Sequence, residues 1–152
     1  MTIKLKSRLA QPNDYPELLA LWEESVKASH HFLTADERAA IKAELPYYFQ
    51  AVQLVIWYET PEDWIAFSGV SNEGEELEML FIAPRYFRQG YGQKIIGQLL
   101  AQGLKKVDVN AENPAAQKFY ETQGFYVVGK SATDGQGRAH PLVHLAYHTK
   151  KE

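Results

Sequence analysis

The chain has 152 residues with a formal net charge of -3, and 45% of its residues are hydrophobic. This fits one globular domain over residues 1–152, and the acidic balance argues against nucleic acid as a partner. Because the chain has no cysteine, it can have no disulfide, no thiolate metal site and no cysteine nucleophile. It also has no apolar run as long as a membrane span or the apolar core of a signal peptide, so we expect a soluble cytoplasmic protein.

The N-terminal half is predicted to form a strand, two helices and a β-meander. Ile3 and Leu5 alternate with lysines in the first strand, and Asn13 is expected to cap the first helix. Its apolar stripe comprises Tyr15, Leu18, Leu19, Trp22 and Val26. Residues 34–37 have the spacing of a capping box before a second helix, which Pro46 is expected to kink or break. Strands at 52–59, 64–70 and 76–82 follow, with turns at 60–63 and 71–74.

A glycine-rich turn follows the third strand of this meander. Residues 79–82 are consecutively apolar, Pro84 ends the strand, and Gly90 and Gly92 precede a helix. The apolar positions of that helix are Ile95, Ile96, Leu99, Leu100 and Leu104. Its first turn leaves backbone N–H groups unpaired at the positive end of the helix dipole. We therefore expect residues 88–93 to bind an anion, in particular a pyrophosphate, with added charge from Arg85, Arg88 and Lys94.

The C-terminal part is predicted to contain a strand at 106–110, a helix that begins at Asn113-Pro114 and ends at Gly124, and strands at 125–130 and 141–147. A hairpin-like turn at 134–137 joins the last two strands. The resulting order is βααβββαβαββ. It predicts an α/β (α+β) fold with a mixed sheet and helices on its faces.

Two segments carry a resemblance to a known family. The first reads Leu-Phe-Ile-Ala-Pro-Arg-Tyr-Phe-Arg-Gln-Gly-Tyr-Gly at 80–92, and the second reads Asn-Pro-Ala-Ala-Gln-Lys-Phe-Tyr-Glu-Thr-Gln-Gly-Phe at 113–125. With these segments the chain resembles the GNAT superfamily of N-acetyltransferases, in particular its small bacterial members. The resemblance covers nearly the whole chain. It implies the GNAT-like acyl-CoA N-acyltransferase fold, acetyl-CoA as cosubstrate and Tyr120 as general acid. The coenzyme-binding residues that it implies are Leu80, Phe81 and Ile82 for the pantetheine arm, Arg88, Gln89, Gly90, Tyr91, Gly92 and Gln93 for the pyrophosphate, and Asn113 for the sulfur end.

One position departs from the pattern of the superfamily. Phe87 stands where a Gln or Arg usually lies, three places before the first motif glycine. Because backbone amides bind the phosphates, we expect at most weaker help from side chains at this point.

Acetyl transfer also needs an oxyanion site and a route for the amine proton. Separation of the strands next to Leu80 would aim a backbone N–H at the thioester carbonyl. A primary amine with a pKa near 10.4 is mostly protonated at neutral pH, so it must lose a proton before it attacks. Asp108 is the predicted base, because some members of the superfamily carry an acidic base at this place. Glu76 and Glu78 remain alternatives, as does a water chain without a dedicated base.

The acceptor pocket is less well defined by the sequence. The resemblance implies that the connection between the first two helices walls it, which places His30, His31 and Phe32 nearby. His140, His144 and His148 recur every four residues on one strand face, but they lack carboxylate or thiol companions at ligand spacing, so we expect no metal.

The sequence thus predicts an acetyl-CoA-dependent N-acetyltransferase that acts on a primary amine of a small molecule, peptide or protein. We expect a monomer or homodimer without a membrane partner. Two alternatives stay open: an acyl-CoA-binding sensor or interaction domain without turnover, and a toxin-type enzyme that acetylates aminoacyl-tRNA, which the acidic balance disfavours.

Overall fold

The elements follow one another in the predicted order in the structure, a computed structural model that describes residues 4–133 and 140–147. Four α-helices are present in this part of the chain: α1 (Tyr15–Ser29), α2 (Ala35–Phe49), α3 (Tyr91–Ala101) and α4 (Pro114–Thr122). The strands are β1 (Lys6–Leu9), β2 (Gln53–Thr60), β3 (Asp63–Ser71), β4 (Glu76–Ile82), β5 (Lys106–Asn110), β6 (Phe125–Ser131) and β7 (Leu142–Tyr147). The predicted mixed α/β class is therefore confirmed.

The strands form one mixed sheet in the order β1-β2-β3-β4-β5-β7-β6, in which β4 and β5 are parallel and the other neighbours are antiparallel. Strands β4 and β5 pair through Glu76 with Lys106 and Leu77 with Val107. Beyond these residues β4 continues along β3 as far as Ile82, and β5 continues along β7 as far as Asn110. The sheet therefore opens into a wedge between β4 and β5.

Two apolar cores hold the helices against opposite faces of this sheet. Helices α1 and α2 bury Trp22, Val26 and Phe49 against Ile56 and Phe67 of the meander. The side chains buried around α3 and α4 on the other face include Ile95, Ile96, Leu99, Val107, Tyr120, Phe125 and Leu145. Trp22 is thus a core residue.

Several local predictions are confirmed and others are wrong. Thr34 and Glu37 form the predicted capping box, with bonds of 3.1 and 3.0 Å between side chains and backbone N–H groups. The predicted cap at Asn13 is wrong, because residues 12–14 form a 3-10 turn in which the Asp14 carboxylate bonds Gln11 N and Arg8, so α1 begins after Asp14. Helix α2 continues through Pro46 to Phe49.

Some predicted features lie wholly or partly outside the described residues. Strand β1 begins at Lys6, and its predicted member Ile3 lies outside the described residues. The hairpin-like turn at 134–137 and His148 also lie outside them. Within residues 4–133 and 140–147, none of the helices combines the length and apolar character that crossing a membrane requires.

Candidate active site

The first turn of α3 is open to an anion. Gly90 is the N-cap residue with a left-handed φ of 88°, and none of the described side chains caps this end. The Gln89 amide bonds Arg85 O at 2.7 Å instead. Since Lys94 N is the first N–H to bond a carbonyl of this helix, at Gly90 O, the earlier N–H groups are available to a ligand.

A cavity of about 560 Å³ extends from this turn to α4. Gly92 allows α3 to approach α4 here, because a Cβ atom at this position would lie 3.2 Å from the Phe119 ring and 3.4 Å from Ile82. The residues of the predicted site that line the cavity are Leu80, Phe81, Ile82, Arg88, Gly90, Tyr91, Gly92, Gln93, Asn113, Tyr120 and His30. The fold therefore brings most of the sequence-predicted residues to one groove.

Tyr120 lies where this groove meets the wedge in the sheet. Its ring packs 5.1 Å from that of Phe119 and 5.7 Å from that of Phe125. Burial raises the pKa of Tyr120, so the phenol stays protonated over the physiological range. No described residue hydrogen-bonds its hydroxyl, and no side-chain oxygen of the described residues is both fully buried and unpaired. The hydroxyl therefore reaches the cavity and has a proton to donate.

Two further cavities lead through the wedge to the opposite face of the sheet. The smaller, of about 140 Å³, lies between the separated ends of β4 and β5, and its lining includes Leu80, Asp108 and Tyr120. The larger, of about 470 Å³, is lined by Trp22, Leu45 and Tyr48 from the helices and by carboxylates from Glu44, Glu78 and Asp108. Both share Glu78, Met79, Phe81 and Asp108. Cavities that share lining residues thus form a path from the α3 groove to an acidic pocket.

The predicted base Asp108 has partners that the sequence did not reveal. Its Oδ1 accepts a hydrogen bond of 2.6 Å from His144 Nδ1, and His144 Nε2 lies 2.6 Å from Ser131 Oγ. The Asp108 side chain is 56% exposed. Of the two alternatives, Glu78 lines the path and accepts a 2.5 Å bond from Ser71, whereas Glu76 pairs within the sheet at the closed end of the wedge.

The three residues predicted for the acceptor side separate in the structure. His30 lines both the groove and the small cavity, and burial, with a smaller contribution from His31, lowers its pKa. The Phe32 ring lies 5.4 Å from that of His30 and 5.9 Å from that of His140. His31 is exposed and is not among the described residues that line these cavities.

Arg85 does not add free charge to the groove, contrary to the prediction. Its guanidinium pairs with the Asp63 carboxylate, which also accepts a hydrogen bond from the Tyr86 hydroxyl. These two bonds, that of Tyr86 first, hold the pKa of Asp63 below its usual range. The positive charge at the first turn of α3 therefore comes from Arg88 and Lys94.

Residues 20–144 match the protein family described as "Acetyltransferase (GNAT) domain". The chain belongs to the GNAT acetyltransferases. It is 31% identical over 142 residues to peptidyl-lysine N-acetyltransferase YjaB of Salmonella typhimurium, an alignment that covers 92% of this chain and 96% of the relative. Members of this family use acetyl-CoA, so this chain is an acetyl-CoA-dependent N-acetyltransferase.

Two solved GNAT structures resemble the whole chain. The solution structure of apo YjaB from Escherichia coli has a TM-score of 0.84 and 28% identity, and it covers 95% of this chain and 98% of its own. The PaiA N-acetyltransferase of Thermoplasma acidophilum, solved in complex with coenzyme A, has a TM-score of 0.68 and 17% identity, with 95% of this chain and 100% of its own covered. The second likeness supports the GNAT fold alone.

Several residues of this GNAT site carry no recognisable signal in the sequence. Ser25, Ser29 and Phe119 line the groove, and Glu44 and Met79 line the acidic pocket. Ser25 lies on the buried face of α1 and is 3% exposed, and Ser29 follows one turn later, so no local pattern in the sequence marks either serine as part of the site. The histidine partners come from distant elements, since Asp108 lies 36 residues before His144, and only the folded sheet brings them together.

His140 joins the first turn of α2 to the loop between β5 and α4. Its Nδ1 lies 2.5 Å from Glu112 Oε1 and its Nε2 lies 2.6 Å from Glu37 Oε2. These bonds, that of Glu112 first, raise the pKa of His140. Over the described part of the chain, no group of three or more His, Cys, Asp or Glu side chains has an arrangement that could hold a metal ion.

This bridge predicts a pH-dependent stability. Because the pKa of His140 is raised on folding, its contribution is complete below the histidine pKa of the unfolded chain, about 6.5, and is lost as the pH rises through the folded value. The pKa of Glu37 is lowered, mainly by the Thr34 N–H, so its contribution is lost only when the pH falls through that lowered value. We expect His140→Gln to lower Tm by a few degrees at pH 6 and by less at pH 9.

Thermal unfolding at pH 6, 7.5 and 9 measures this difference. The control is His31→Gln, which changes an exposed histidine and should alter Tm little at each pH. A deficit of His140→Gln that grows with pH would contradict the bridge.

Proposed function

We propose that this enzyme transfers the acetyl group of acetyl-CoA to the ε-amine of a lysine side chain in a peptide or protein. The observation that carries the proposal is the path from the open first turn of α3, past Tyr120, to a pocket with three carboxylates on the other face of the sheet. The printed name of the relative YjaB, peptidyl-lysine N-acetyltransferase, supports the same acceptor.

The groove has the chemistry that the coenzyme requires. The uncapped N–H groups of residues 90–93 and the Arg88 guanidinium suit a pyrophosphate, to which Gln89 contributes its backbone alone because its side chain is engaged. Residues 80–82 belong to the C-terminal part of β4, which does not pair with β5. The pantetheine amides would bond this backbone as an added strand does.

The sulfur end would lie beside α4. Asn113 Oδ1 caps this helix by accepting a bond of 3.2 Å from Ala116 N, so the side-chain NH₂ is the part of Asn113 that remains for the coenzyme. A backbone N–H of β4 beyond the point of separation would stabilise the oxyanion. As the C–N bond forms and the C–S bond breaks, Tyr120 would donate its phenolic proton to the departing thiolate.

The acidic pocket suits the positive charge and the apolar stem of a lysine. Carboxylates of Glu78 and Asp108 attract an ammonium group, while Met79 and Phe81 offer apolar contact to its methylenes. Asp108 as the acceptor of the amine proton stays a prediction. Its exposure and its hydrogen bond from His144 favour a role in attracting the cation.

An acetyl-transfer assay tests the proposal. Purified protein is incubated with acetyl-CoA and a lysine-containing peptide whose N-terminus is blocked, and both thiol release and peptide mass are followed. We expect one acetyl group per lysine, and no acetylation of the matched peptide in which arginine replaces lysine. Spermidine and aminoacyl-tRNA serve as parallel acceptors, and acetylation of either in place of the peptide would contradict the proposal. Coenzyme binding without acetyl transfer to any of these acceptors would favour the alternative function, an acyl-CoA-binding sensor without turnover.

A further inference from the structure

His30 ends α1 with one ring nitrogen engaged and the other open to the site. Its Nδ1 lies 2.7 Å from Ser29 Oγ, and the ring packs 6.0 Å from that of Phe81. No described residue hydrogen-bonds Nε2, and no side-chain nitrogen of the described residues is both fully buried and unpaired. Since His30 lines the groove and the small cavity, Nε2 reaches the space in which the two substrates would meet.

The neighbouring serines determine which nitrogen carries the proton. Ser29 Oγ donates its single proton to Ser25 O, at 2.7 Å, so it can only accept from His30. The neutral imidazole is therefore protonated at Nδ1 and carries its lone pair on Nε2. A base oriented by a fixed partner is the arrangement that proton abstraction requires.

The surroundings favour the neutral ring. Burial disfavours the imidazolium, and His31 adds like charge. The charged or titratable groups that share its cavities are Arg88 from the turn, Glu78 from β4, Asp108 from β5, and the phenols of Tyr86, Tyr91 and Tyr120. The two carboxylates attract the substrate cation, and the raised pKa values of the three phenols keep them protonated.

We propose that His30 is the general base of the reaction, with Ser29 as the positioning residue that holds its tautomer. This inference rests on the proposed function. His30 Nε2 takes one proton from the lysine ammonium, and the neutral amine attacks the thioester carbon. Tyr120 gives its phenolic proton to the coenzyme thiolate. The second amine proton, which is lost as the amide forms, then passes to the Tyr120 phenolate and restores the phenol. The imidazolium returns its proton to water through the groove.

The test measures kcat and KM for the lysine peptide from pH 6 to 10, together with Kd for acetyl-CoA, in the wild type and in the variants His30→Gln, His30→Ala, His31→Gln, Ser29→Ala and Asp108→Asn. At pH 7 we expect His30→Gln to lower kcat about 100-fold with the coenzyme Kd nearly unchanged. We expect the deficit to shrink toward pH 10, where the amine loses its proton to solvent. Imidazole in the buffer should restore part of the activity of His30→Ala. Ser29→Ala should lose roughly tenfold.

The control is Lys27→Gln, which changes an exposed side chain in the same last turn of α1 and should leave kcat and Tm unchanged. Three results would overturn the assignment: a wild-type rate in His30→Gln, a deficit of equal size at every pH without rescue by imidazole, or a larger loss for His31→Gln than for His30→Gln. A change of the pH profile in Asp108→Asn alone would make Asp108 the base. If the wild type acetylates no lysine peptide at all, it is the proposed function that fails.

Discussion

Tyr120→Phe is expected to lower kcat about 100- to 1,000-fold, with the Kd for acetyl-CoA within a factor of about three of the wild type. The substitution removes the hydroxyl and keeps the ring against Phe119 and Phe125. Without that proton, the coenzyme must leave as a bare thiolate, which costs transition-state stabilisation and leaves ground-state binding intact.

The chain offers a matched control for this substitution. Tyr147 packs against the same Phe125 ring at 5.5 Å, and it is not among the described residues that line the three cavities. Tyr147→Phe should keep wild-type kcat. Steady-state thiol release and calorimetric titration with acetyl-CoA separate catalysis from binding. If Tyr120→Phe turns over at the wild-type rate, the proton donor lies elsewhere.

Gly90→Glu is expected to abolish acetyl-CoA binding. At a ligand concentration of about 100 times Kd, the coenzyme should raise the wild-type Tm by about 5–10 °C, because it stabilises only the folded state. In the variant a carboxylate lies against the pyrophosphate, and a side chain is forced into a left-handed position with φ near 88°. We expect no measurable shift of Tm in this variant.

Gly103→Glu separates this effect from backbone strain. Gly103 also has a positive φ, of 112°, and lies beyond the opposite end of α3, where a Cβ atom would meet no other atom within 4 Å. Its variant should be destabilised without ligand but retain the full shift with acetyl-CoA. An undiminished shift in Gly90→Glu would mean that the pyrophosphate binds at another place.

The order of elements was predictable because each boundary has a local chemical cause. Asn113 and Pro114 begin α4, Gly124 follows its end with a φ of 105°, and Thr34 with Glu37 begins α2. At Asn13 the local preference did not decide the helix start, since the neighbouring Asp14, which bonds Gln11 N and Arg8, moved it by one residue. The capping preference of a single residue therefore does not determine where a helix begins when a neighbouring side chain makes stronger hydrogen bonds.

The residues of the α3 groove were easier to predict from the sequence than those of the acidic pocket, for a physical reason. The first turn of α3 and the adjoining strand form one continuous segment, so their spacing in sequence is also their spacing in the fold. The acidic pocket combines residues of α1, α2, β4 and β5. The contacts of Asp108 with His144 and of His140 with Glu37, which is 103 residues away, depend on strand order and leave no periodic signal.

A crystal structure with coenzyme A tests most directly whether the first turn of α3 binds the pyrophosphate. We expect pyrophosphate oxygens about 2.7–3.2 Å from backbone nitrogens of residues 90–93, the pantetheine arm along residues 80–82, and the sulfur within hydrogen-bond reach of the Tyr120 hydroxyl. A pyrophosphate bound away from the first turn of α3, or a sulfur on the far side of α4 from Tyr120, would contradict this mode of binding.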